Sequence, residues 1–193
     1  QNNNVSLTLL NSHNTGAVST DSTAGSPSYY AGGLIGYNNS NNNAASTMAT
    51  TYNTGSVSNS AVSNRVASSA GGLVGGNAAN LTINTSYNTG AITGYNRAGG
   101  LVGEAKKVLT INNSYNNGAV SSHYYVAGLV GLNLGTSVMN TSYSSAVLTY
   151  NKPPDTVNTC KAGLACGSRD IHGSFYDKDN AGVTSGTGGL STQ

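Results

Sequence analysis

Six side chains could supply a carboxylate: Asp21, Glu104, Asp155, Asp170, Asp177 and Asp179. Cleaving a glycosidic bond takes two such groups facing each other across it. Here the acids are few, and four of the six fall in the tail. His13, His123 and His172 are far apart in sequence, and no H-E-x-x-H pattern offers a zinc site. Ser and Thr abound, but no G-x-S-x-G elbow comes with an acid and a His. The chain is therefore expected not to be an enzyme and to need no cofactor. Asp177-Lys-Asp179-Asn-Ala-Gly182 starts like a calcium loop, but Ala181 and Gly188 stand where ligands are needed. A polar turn without metal is the better reading. Cys160 and Cys166 form a C-x5-C spacing that is not a familiar metal pattern, and no His pair accompanies it. In a secreted chain they are expected to close a small disulfide loop, the alternative being two free thiols.

The charge pattern removes other classes. Eight basic residues give a net charge of +2, and only Lys106 and Lys107 are adjacent. No basic stripe could track a phosphate backbone, so nucleic acid is not an expected partner. No apolar run approaches the roughly 18 residues of a membrane helix. Gln1 is not an initiator Met, so the sequence reads as a piece of a longer protein. Charged residues make up 7%, against about a quarter in ordinary domains. Asn, Ser, Thr and Gly dominate instead, and all four favour turns between short strands.

The elements that must position any site come from a repeat. One copy reads Leu81-Thr-Ile-Asn-Thr-Ser-Tyr-Asn-Thr-Gly90-Ala-Ile, then Ala98-Gly-Gly-Leu-Val-Gly103. The next reads Leu109-Thr-Ile-Asn-Asn-Ser-Tyr-Asn-Asn-Gly118-Ala-Val, then Ala127-Gly-Leu-Val-Gly131. Aligned, the copies give an aromatic column of His13, Tyr52, Tyr87, Tyr115, Tyr143 and Phe175. Apolar columns follow: Leu9, Met48, Ile83, Ile111, Met139, Ile171; then Val18, Val57, Ile92, Val120, Val147; then Leu34, Leu73, Leu101, Leu129, Leu164. The turn column is Gly16, Gly55, Gly90, Gly118 and Ser145. Each piece is too short to bury a core alone, but stacked copies turn each column into a ladder. The expected fold is all-β: a single right-handed parallel β-helix of five to six coils over residues 1–193, with 171–193 an incomplete closing repeat. All the apolar columns and the aromatic one are expected inside, and Gly at the corners is expected to permit tight bends and positive φ. The Asn residues beside those corners, Asn14, Asn53, Asn88 and Asn116, are expected to form hydrogen-bond ladders. A propeller or prism of antiparallel units is the alternative.

Three copies are longer, and all insert at the same corner: about Thr20–Tyr30, Asn59–Ser69 and Thr149–Cys160. Equal phase in a solenoid means equal side, and such insertions often make a binding face. Tyr29, Tyr30, Tyr95, Tyr124, Tyr125 and Tyr150 gather near that corner, and His123 matches Tyr95 one coil on. These seven are the candidate ligand-binding residues, set in a shallow saddle between long loops. Tyr suits contact with sugar or protein through its flat face and hydroxyl. Plain surface loops and strand-favouring Tyr are the blander alternative.

The phrase A-G-G-L-V-G, at Ala31–Gly36, Ala70–Gly75, Ala98–Gly103 and Ala127–Gly131, resembles the GLUG motif together with S-Y-N-T-G-A-V. That motif belongs to large secreted bacterial proteins, notably filamentous-haemagglutinin-like adhesins of two-partner secretion. It also occurs in some peptidases that cleave immunoglobulin A. The resemblance covers nearly the whole chain, and Gly173-Ser-Phe-Tyr-Asp177 looks like the phrase that closes such arrays. The fifth copy departs, with Cys166 where Gly is usual. The resemblance implies an extracellular role at the bacterial surface, attaching to host glycan or host surface protein. A stalk that merely projects another domain is the alternative. Sequons start at Asn4, Asn38, Asn80, Asn84, Asn112 and Asn140, and the resemblance implies that such asparagines can carry sugar. The isolated piece is expected to be a monomer.

Overall fold

A computed structural model describes residues 6–21, 28–39, 44–60, 67–151, 159–167, 169–183 and 190–192. The described strands fall into five sheets, and every strand pairs with its neighbours in parallel. Each coil visits the sheets in the same order. The third coil shows it: Asn80–Asn84, Tyr87–Asn88, Ile92–Thr93, Arg97–Gly99 and Val102–Ala105 lie in the first to fifth sheets. Three sheets have five strands, so they rise through four coil-to-coil steps. The first and second sheets continue into Asp170–His172 and Phe175–Asp177, and Leu190–Thr192 adds a last strand to the second. This is a parallel β-solenoid. Among the described strands no antiparallel pair supports a propeller or prism.

Leu73, Leu101, Leu129 and Leu164 are fully buried in one ladder, as are Met48, Ile83, Ile111 and Met139. Leu34, Leu9 and Ile171 belong to the end coils and are only partly covered. At the far end Tyr176, Ala181 and Val183 close the core. The only helix among the described residues is the turn Lys178–Ala181, whose N-cap Asp177 accepts from the backbone N–H of Asp179 and Asn180. The calcium-loop-like segment is thus a capped turn.

Three expectations need correction. The aromatic column is outside, not in the core. Tyr52, Tyr87, Tyr115 and Tyr143 are half-buried, Phe175 is 41% exposed, and the rings stack face to face along the surface. The reason lies two residues earlier. Asn11, Thr50, Thr85, Asn113 and Thr141 all adopt φ between 47° and 55°, and Gly173 takes the matching place in the sixth copy. This left-handed corner resets the in–out alternation, so Ser86 points in, Tyr87 out and Asn88 in. The second correction follows: positive φ sits at these Asn and Thr corners, not at Gly16, Gly55, Gly90 or Gly118. Gly55, Gly90 and Gly118 serve close approach instead, because a Cβ on each would overlap the carbonyl of the glycine one coil earlier. Third, Val120 pairs with Leu148, so Leu148 is the core residue and Val147 is 52% exposed. The same one-residue shift puts Ala146, not Ser145, in the turn column. In the fourth copy, whose phrase has one Gly fewer, Val126 pairs with Ala98 and Ala127 with Gly99.

The phrase S-Y-N can now be decoded. The buried Ser accepts from the backbone N–H one coil earlier: Thr51 to Ser86, Ser86 to Ser114, Ser114 to Ser142, and Ser142 to Ser174, at 2.9–3.2 Å. The buried Asn makes a carboxamide ladder, with Asn14 donating to Asn53, Asn53 to Asn88, and Asn88 to Asn116, each at 2.8 Å. Each amide nitrogen also donates to the carbonyl two residues on, at Gly16, Gly55, Gly90 and Gly118. The interior Ser and Asn of this phrase are thereby paired, as burial demands.

Gly16→Ala should be nearly neutral, since its nearest neighbour would lie 3.7 Å from the new Cβ. Gly90→Ala, in the same column, should cost about 3 kcal/mol or more in urea unfolding, because the methyl overlaps backbone. Asn88→Ala should cost about 3 kcal/mol, because it strands the Asn53 amide and the Gly90 carbonyl inside. Equal midpoints for the two glycine variants would contradict the stacking account.

Candidate functional site

The three insertions all lie between the third and fourth sheets. Strands Val18–Asp21, Val57–Ser60 and Leu148–Tyr150 lead into them, and Ser28–Gly32, Ala67–Gly71 and Cys160–Ala162 follow. The loop residues 22–27, 61–66 and 152–158 lie outside the described residues. The short connectors of coils three and four, residues 94–96 and 123–124, are described and sit between the feet of the second and fifth loops. Gly94 makes the tight bend, since a Cβ there would overlap the Arg97 carbonyl.

Of the seven candidate residues, the structure brings three into contact. The rings of Tyr95 and His123 lie 4.8 Å apart at 30°, and Tyr95 and Tyr124 lie 6.3 Å apart at 52°. Their backbones are fixed by bonds from His123 N–H to the Tyr95 carbonyl at 3.0 Å and from Cys160 N–H to the Tyr124 carbonyl at 2.8 Å. All three rings are half-buried. Tyr150 begins the fifth loop beside Ser122 and packs partly on the core. Two buried polar atoms here, His123 Nδ1 and Tyr150 Oη, make no hydrogen bond. Tyr29 follows the first loop on the strand paired to Ser68, and its carbonyl accepts from Asn59.

Tyr125 and Tyr30 stand elsewhere, in a cleft between the fourth and fifth sheets that the repeat alignment did not reveal. Across that cleft, residues seven apart in sequence face each other. In coil one Tyr30 stacks on Tyr37 at 4.5 Å, and in coil three Arg97 pairs with Glu104 at 2.9 Å. In coil five Cys160 and Cys166 are joined by a disulfide, six apart because this coil carries a register shift after Val130. Ser69 and Gly76 hold the same places in coil two, and Tyr125 and Leu132 in coil four. Gly76 lacks a side chain because the rings of Tyr30 and Tyr37 lie over it. Tyr30 thereby reaches across coil two and donates to Glu104 at 3.3 Å, while Lys106 donates to the Tyr30 hydroxyl at 3.2 Å. Glu104 is 1% exposed and balanced by Arg97 and Lys106. Burial alone would lower the Lys106 pKa, but the Tyr30 hydrogen bond and the Glu104 charge hold it above the ordinary lysine value. Burial likewise raises the Tyr37 phenol. This cleft is structural: Tyr125 and Cys160 pack on the buried Ala127, Ala162 and Cys166. Its signal in the sequence was the seven-residue spacing across G-L-V.

The sequons also differ in place. Asn4 lies outside the described residues. Asn38 is 7% exposed and donates to Asn77 at 2.8 Å. Asn140 donates to Asn112 and Asn112 to Asn84, at 2.7 and 2.8 Å, so two of these three amides already serve a ladder on the first sheet. Asn80 is half-buried at the start of its strand. Among the described residues no group of three His, Cys, Asp or Glu is placed to hold a metal, and no helix is long and apolar enough to cross a membrane.

Arg97→Ala should destabilise the fold by about 3 kcal/mol, because Glu104 stays buried with one cation fewer. Chemical unfolding compared with Lys106→Ala, whose charge is more exposed, should show the smaller loss for the lysine. Searches against protein-family models, curated proteins and solved structures found no match to this chain.

Proposed function

We propose that this chain is a segment of an extracellular bacterial surface adhesin that holds a host glycan or host protein at the corner between the third and fourth sheets. One observation carries the reading. Tyr95, His123 and Tyr124 form a tilted cluster on the short connectors, between the feet of two longer loops, beside the unbonded His123 Nδ1 and Tyr150 Oη. Tilted, half-buried rings leave faces for C–H or aromatic groups of a ligand. The resemblance to GLUG-motif adhesins and the disulfide Cys160–Cys166 agree with an oxidising, extracellular setting.

A spacer role is the second reading. Its support is the uniformity of the interior ladders, which would serve a stalk equally well.

The test replaces Tyr95 and Tyr124 with Ala and leaves Tyr125 alone, since Tyr125 packs on the disulfide cluster. Binding to host cells and to a glycan and matrix-protein array should fall about tenfold or more, with unfolding little changed. Full binding by the folded double variant would leave the spacer reading in front.

A further inference from the structure

The outward aromatic column has a chemistry of its own. Tyr52, Tyr87, Tyr115 and Tyr143 stand one per coil on the second sheet, with ring centroids 4.9, 5.0 and 5.0 Å apart and planes within 6°. His13 continues the stack at one end and Phe175 at the other, at 4.8 and 5.7 Å. All four tyrosines are half-buried, so their phenols can exchange protons with water. The one disulfide joins two strands of the same coil, and among the described residues no covalent bond links one coil to the next. We propose that this ladder is a site of oxidative cross-linking, in which a peroxidase-type oxidant acting with hydrogen peroxide joins tyrosines of adjacent coils.

The chemistry balances. Each of two neighbouring phenols gives up one electron and one proton, leaving two phenoxyl radicals. The radicals couple through the ring carbons ortho to oxygen, forming one C–C bond. Each joined carbon then loses its hydrogen as a proton while its oxygen regains one, restoring two phenols. Hydrogen peroxide takes up the two electrons and two protons and becomes two waters. Radical coupling is normally limited by encounter. Here the β-ladder holds the partners in contact, and such proximity is worth many orders of magnitude in effective concentration. The ends limit the reaction, because His13 has no phenol and Phe175 no hydroxyl. The result would be a covalent tie along the axis, where hydrogen bonds and packing alone now hold the coils. This inference does not depend on the adhesive reading.

The experiment treats the purified chain, as an equal mixture of ¹⁴N- and ¹⁵N-labelled protein, with horseradish peroxidase and hydrogen peroxide. Dityrosine fluorescence gives the yield, and mass spectrometry of peptides gives the partners. The expected links are Tyr52–Tyr87, Tyr87–Tyr115 and Tyr115–Tyr143, within one isotopic label, with thermal unfolding raised by about 5 °C. The double variant Tyr87→Phe/Tyr143→Phe keeps the stack but leaves no two ladder tyrosines adjacent. Its intramolecular links between ladder positions, told apart from Tyr30–Tyr37 and Tyr95–Tyr124 links by peptide mass, should fall about tenfold, whereas Tyr29→Phe/Tyr37→Phe, with the same number of tyrosines removed, should keep the parent's yield of ladder links. Equal yields from the two variants, or links that always mix the labels, would overturn the proposal.

Discussion

The buried carboxamide ladder sets the terms for the rest of the molecule. Asn53, Asn88 and Asn116 are completely buried; Asn53 and Asn88 each donate both to the next coil and to a carbonyl two residues on, and Asn116 accepts from Asn88 and donates to the Gly118 carbonyl. Such a network stabilises only when every member is matched. It therefore demands identical register in successive coils, and it demands space. The space comes from across the core. A Cβ on Gly72 would collide with Asn88, and one on Gly100 with Asn116. The second Gly of G-G-L and the Asn of S-Y-N are thus two halves of one contact, though they lie far apart in each repeat. Where Asn gives way to Ser144, Gly128 still faces it, and at the closing end Gly163 faces the ring of Tyr176.

With the interior held so rigidly, variation moves to the outside. The cleft between the fourth and fifth sheets shows this most clearly. Its facing pair is an aromatic stack in coil one, an ion pair in coil three and a disulfide in coil five. These are three solutions to one demand, which is to fasten two tightly folded strands across their shared turn. The ion pair is the least expected. A buried Glu104 is costly unless paired, and it is paired by two cations and a tyrosine hydroxyl. Replacement of Gly by Cys166 in the last rung comes with a shortened coil, so the departure from the repeat is also a local change of register.

Much of this was legible in the sequence, and what was not has a physical cause. The repeat columns of Ile83 and Leu101 led directly to buried ladders, because like residues at equal phase must stack. The side of Tyr87 was not legible. Alternation read from Ile83 puts Tyr87 inside, and only the left-handed turn at Thr85 reverses it. A Thr with positive φ leaves no mark in composition, since Gly or Asn is what such corners normally advertise. Val147 misled for a similar reason. Ser144-Ser145-Ala146 lacks both Asn and Gly, so nothing in the letters fixed the register to one residue. In the candidate site, the contact of Tyr95 with His123 followed from equal phase, whereas Tyr30 and Tyr125 were assigned by nearness in sequence to a corner from which their strands carry them away.

The two exposed aromatic groups are not interchangeable, and the difference bears on what each can do. In the Tyr52–Tyr143 ladder nearly every ring face is covered by another ring, so edges and hydroxyls are what meets solvent. A ladder of that kind offers little to a sugar, which packs on faces, but it keeps reactive phenols in fixed contact. At the connectors the rings of Tyr95, His123 and Tyr124 are tilted by 30° and 52°. They cannot stack continuously, because coils two and five, where the insertions fall in sequence, supply no ring in phase. Interrupting the repeat is what frees a face. The corner where the solenoid is least regular is therefore the place where recognition can be built without disturbing the ladders that hold the fold.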